Sequence, residues 1–146
     1  MVLKLLKAMW FLSMLATLGA LLYVYASLPQ EVLVQDDTDA RVAISNEVFF
    51  YLAMIFIALS NAMVYVMAKV FKTNEDLRSW FYGLVVALNI FFIIGMNVIS
   101  LYNSEEKFDY ERIALIIYGS LGLIVLWAAA WPVYAIFKRS NLKLLI

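Results

Sequence analysis

The sequence predicts an all-α integral membrane protein, a four-transmembrane-helix bundle with both termini cytoplasmic, and three observations carry that expectation. First, 66% of the 146 residues are hydrophobic and only 15% are charged, with a mean hydropathy of +0.89, more apolar side chain than a soluble chain of this length could bury. Second, the apolar residues fall in four blocks, about 8–27, 47–70, 80–102 and 110–137. Each is long enough to cross a hydrocarbon layer of about 30 Å at 1.5 Å per residue. Third, with the N-terminus inside, the inner segments hold Lys4, Lys7, Lys69, Lys72, Arg78, Lys138, Arg139 and Lys143, and the outer ones hold Arg41, Lys107 and Arg112. Eight basic residues against three satisfy the positive-inside rule with both termini cytoplasmic. The whole chain, 1–146, reads as a single membrane domain of a plasma or inner membrane.

The first block, Ala8 to Ser27, follows a short basic start and carries Ser13, Ala16, Thr17, Gly19 and Ala20 along its middle. Lys4 and Lys7 ahead of it, with Val24-Tyr25-Ala26 before Ser27, also fit a cleaved signal peptide. A run of about 20 residues exceeds the usual 7–15 of a signal core and favours a retained span. Leu28-Pro29 ends it. The outer loop 28–46 is the longest polar segment. In it Val32, Val34, Val42 and Ile44 flank Asp36-Asp37-Thr38-Asp39, the pattern of a small hairpin with an acidic turn.

Ser45 or Asn46 can cap the second span, whose interior polar groups are Ser60 and Asn61. Thr73 with Asp76 three residues on resembles a capping box leading into the third span, so spans two and three form an antiparallel hairpin. The third span contains Asn89 and Asn97. A second acidic link, from Asn103 to Arg112, precedes the fourth span, in which Pro132 withholds an N–H from the carbonyl of Ala128 and predicts a bend. Trp10, Tyr65, Trp80, Tyr82, Trp131 and Tyr134 fall near the inner boundary, and Tyr23, Tyr25, Tyr51, Tyr102 and Tyr110 near the outer one, as in an interfacial aromatic belt.

Amides inside a span are costly against lipid and need partners. Asn61 lies eight residues before Lys69, about 12 Å along its helix, and Asn89 lies eleven after Arg78, about 16 Å. They share a depth on neighbouring helices, so an Asn61–Asn89 hydrogen bond is the simplest solution, and Ser13 and Thr17 on the first span reach the same level. Asn97, nearer the outer surface, has Ser120 on the fourth span as its candidate partner. The candidate intramembrane polar layer is therefore Asn61, Asn89, Asn97 and Ser120. Such residues either join helices and fix their register or line a path for a polar solute. Pairs of small residues four apart (Ala16 with Ala20, Ser13 with Thr17, Ala58 with Ala62) read as packing inside the bundle.

Several function classes are disfavoured. The chain has no cysteine and no histidine, which removes disulfides, thiolate nucleophiles, the usual zinc and haem ligands and histidine proton shuttles. No acidic or basic residue falls at mid-membrane, so an ion pump working through a buried carboxylate is not expected. Asp36, Asp37 and Asp39 lack the spacing of a known calcium loop, since the sixth position counted from Asp36 is Arg41. No phosphate loop, nucleophile elbow or metalloprotease motif occurs. A net charge of +0 gives no basic excess for nucleic acid. The expectation is a non-catalytic protein without cofactor or metal, a subunit, accessory factor or scaffold of a larger membrane assembly, its partners the lipid bilayer and other membrane proteins met through the loop 28–46. The alternative is a small-solute or lipid channel or carrier, working as an oligomer through the asparagine layer.

Overall fold

Proline and polar links punctuate the chain into four helices and one hairpin. The structure, a computed structural model, describes residues 1–37, 40–104 and 109–144. The helices are α1 (Val2–Ser27), α2 (Asn46–Val70), α3 (Glu75–Tyr102) and α4 (Tyr110–Leu144), and all four are long and apolar enough to span a membrane. Even α2, the shortest at 25 residues, runs about 38 Å. Helix boundaries differ from the sequence reading mainly at the ends away from the hairpin. α1 begins at Val2 and α3 at Glu75, because Lys4, Lys7 and Asp76 continue the helix beyond the apolar run. The cap of α3 is Asn74, whose Oδ1 accepts from Leu77 N at 3.0 Å, so the expected Thr73 capping box does not form. Ser45 caps α2 by accepting from Val48 N at 3.2 Å. α4 runs through Pro132 as a continuous helix.

Leu28 is extended, at φ −77° and ψ 142°, as a residue before proline must be, and the chain turns there into β1 (Glu31–Asp37) and β2 (Ala40–Ser45). The strands are antiparallel, with Val32 opposite Ile44, and a bulge between Leu33 and Gln35 shifts the register. The expected hairpin is therefore present, with Val32 fully buried beneath it. Thr38 and Asp39 of the acidic turn, and the stretch 105–108 of the second acidic link, lie outside the described residues.

The bundle is asymmetric. α3 packs against α1, α2 and α4, whereas among the described residues the backbone of α4 approaches no helix but α3. One apolar core, near the hairpin, gathers Leu21, Val24, Leu28, Val32, Phe49, Ile57 and Met96. A second, toward the opposite ends of the same helices, gathers Trp10, Val64, Tyr82 and Val85. All members come from α1, α2, α3 and the segment joining α1 to α2. Among the described side chains of α4 only Ser120 is buried.

Candidate functional site

Between the two cores lies a polar layer built from α1, α2 and α3. Asn61 Nδ2 donates to Asn89 Oδ1 at 2.9 Å, and Asn89 Nδ2 donates back to Asn61 Oδ1 at 3.2 Å. The remaining valences are filled locally. Asn61 Nδ2 also donates to the Ile57 carbonyl at 2.8 Å, and Asn89 Nδ2 to Ser13 Oγ at 2.9 Å. Trp10 donates its indole N–H to Asn61 Oδ1 at 2.9 Å. Ser13 in turn donates to the Trp10 carbonyl at 2.8 Å, while Thr17 donates to the carbonyls of Ser13 and Asn89 at 2.7 and 3.4 Å. Asn89 and Thr17 are completely buried, and Asn61 and Trp10 almost so.

The amide of Asn61 thus makes both of its donor bonds and receives two acceptor bonds, the full complement of the group. A layer satisfied in this way stiffens a core and fixes the register of the helices it joins. It holds no ionised group, so it offers neither an acid nor a base for catalysis.

Asn97 and Ser120 do not belong to it, and they do not pair with each other. Asn97 is exposed and donates to the Ile93 carbonyl of its own helix at 2.8 Å. Ser120, although buried, donates to the Ile117 carbonyl at 2.8 Å. Depth matching brings them together, but each instead bonds the carbonyl about one turn back on its own helix. Trp10 and Tyr82 also depart from expectation. Both are buried core residues, with ring centroids 5.5 Å apart, rather than members of a membrane-surface belt. A signal for Trp10 was present in the sequence, since Trp10, Ser13 and Thr17 are spaced three and four apart on one helical face.

α3 and α4 are joined differently, at the end of the bundle where α3 begins. Trp80 donates its indole N–H to the Trp127 carbonyl at 2.7 Å, and Trp127 donates to the Trp80 carbonyl at 2.8 Å. Gly83, one turn on, makes room for the exchange, because a Cβ at that position would fall within the indole of Trp127. Below it Asp76 Oδ2 accepts from the Tyr134 hydroxyl at 2.9 Å and from Lys138 Nζ at 3.0 Å.

At the opposite end Asn103, the C-cap of α3, holds the hairpin. Its Oδ1 accepts from Leu33 N at 2.7 Å and its Nδ2 donates to the Leu33 carbonyl at 3.0 Å. Ser27 and Ser100 share a hydroxyl–hydroxyl bond of 3.1 Å nearby. No protein-family model matches the chain, and no match is found among curated proteins or solved structures.

Proposed function

We propose that the chain is a multi-pass protein of a plasma or inner membrane, with both termini cytoplasmic, acting as a non-catalytic subunit, accessory factor or scaffold of a larger membrane assembly. The observation that carries this reading is the closure of the central polar layer. Asn61 and Asn89 turn their amides onto each other and onto Trp10 and Ser13, which leaves no row of free amide groups to replace the hydration shell of a passing solute. The clasped hairpin 31–45 and the open perimeter of α4 supply the surfaces through which partners would be met. Trp10, Ser13 and Thr17 all come from α1, which supports a retained first span rather than a signal peptide cleaved ahead of Ser27.

The test uses the natural absence of cysteine. A Thr17→Cys variant, close to isosteric, places one thiol in the layer. In intact membranes it is expected to resist small water-soluble thiol reagents, whereas rapid labelling would favour the solute-path alternative. Mass measurement of the membrane-extracted protein is expected to retain residues 1–26. Reporter fusions after Thr73 and at Ile146 are both expected to read cytoplasmic, and an exported C-terminus would overturn the orientation.

A further inference from the structure

Where α3 begins, beside α4, a cavity of about 300 Å³ opens between Asp76, Ser79, Trp80, Trp131 and Tyr134, with Val2 of α1 on one side. That volume lies at the lower end of the range for small-ligand sites, about 300–1,000 Å³. Its walls are aromatic. Trp131 stands 5.9 Å from Trp80 and 5.8 Å from Tyr134, measured between ring centroids. Trp80 has committed its indole N–H to the Trp127 carbonyl, so it contributes a ring rather than a donor.

The polar atoms at the cavity are incompletely used. Asp76 Oδ2 carries the bonds from Tyr134 and Lys138, while Asp76 Oδ1, the Ser79 hydroxyl and the Trp131 indole N–H make no hydrogen bond among the described residues. Asp76 and Lys138, 3.0 Å apart and both about half exposed, make the site neutral overall but polarised, with a carboxylate and an ammonium side by side.

We propose that this cavity binds the headgroup of a zwitterionic aminophospholipid, phosphatidylethanolamine, with its ammonium at Asp76 and its phosphate toward Lys138. The proposal rests on the membrane reading given above, in which Trp80, Trp131 and Lys138 lie at the headgroup level of the inner leaflet. A zwitterion complements both charges of the pair, which neither an anionic nor a cationic headgroup does. The primary ammonium also brings N–H donors to Asp76 Oδ1 and the Ser79 hydroxyl, and aromatic faces on which a cation is favourably placed. A choline headgroup satisfies the faces but has no N–H to give. A glycerol headgroup has no cation.

The full chain, extracted in mild detergent and equilibrated with equal amounts of phosphatidylethanolamine, phosphatidylcholine and phosphatidylglycerol, is examined by native mass spectrometry. Phosphatidylethanolamine is expected to be retained about tenfold over the other two, the equivalent of one or two hydrogen bonds. The double variant Ser79→Ala with Trp131→Phe removes groups that make no bond within the described residues, so the fold should persist while the preference falls to about threefold or less. Asp76→Asn should abolish the preference. Equal retention of the three lipids by the unaltered chain, or an unchanged preference in both variants, would overturn the proposal. A detergent-dependent protein without headgroup preference would sink the site alone, while a chain soluble in buffer without detergent would sink the membrane reading itself.

Discussion

Two interfaces meet on α3, one facing α1 and α2, the other facing α4, and they are held by different means at different depths. Toward α1 and α2 the join sits between the two apolar cores and is made by side chains that both donate and accept, so three helices share one set of bonds. Toward α4 the join sits at one end and is made by two indoles bonding to backbone carbonyls, by the absence of a side chain at Gly83, and by an exposed ion pair. In the first, loss of one member unsettles the others, because each amide serves several partners. In the second the bonds run between α3 and α4 alone, so loosening α4 is expected to leave the other three helices in place. The comparison describes a cooperative three-helix unit carrying a fourth helix on its flank.

Gly83→Leu is expected to have the largest effect, because the new side chain must occupy the volume of the Trp127 indole. We expect about 3 kcal/mol of lost α3–α4 association, at the upper end of overpacking costs. Cysteines introduced at Ser79 and Ala130, which line the same cavity, should cross-link readily in the parent and poorly in the variant, while Thr17→Cys stays protected. If Thr17→Cys becomes reactive as well, the two interfaces are not independent.

Asn89→Ala is expected to follow, at about 2 to 3 kcal/mol, through the loss of three bonds and the stranding of Asn61 and Ser13 in a buried layer. Equilibrium unfolding in mixed detergent with sodium dodecyl sulfate, followed by tryptophan fluorescence, measures it, and α1 and α2 should be released together. Asn97→Ala is expected to be smallest, within about 0.5 kcal/mol of the parent, since its only partner among the described residues is a carbonyl of its own helix. A cost for Asn97 equal to that for Asn89 would mean that exposure and partner count do not govern what a helix amide contributes here.

The four long apolar helices and the hairpin were legible in the sequence because run length and alternation act over neighbouring residues. The Asn61–Asn89 pair was legible for a related reason. A short link between α2 and α3 fixes which ends lie together, so counting residues from Lys69 and Arg78 gives depth. The same count misled for Asn97 and Ser120, because depth leaves the rotation of each helix free and the link before α4 is longer. The Trp80–Trp127 exchange left no trace of its own. Both acceptors are backbone carbonyls, which every residue has, and a tryptophan near a span end reads as interfacial by default. Asn103 escaped notice for the mirror-image reason, since an asparagine in a polar link is unremarkable until its partner strand is known.

That clasp on Leu33 bears on how the protein behaves before and after assembly. A two-stranded hairpin has edges, and an unpaired edge is a template on which a strand from another chain can add. By accepting from the N–H and donating to the carbonyl of one residue, Asn103 stands in for a single residue of a third strand on the outer edge of β1. The bulge beside Leu33 disturbs the ladder at the next position. Together they make β1 a poor seed for edge-to-edge aggregation in a chain whose hairpin is rich in valine.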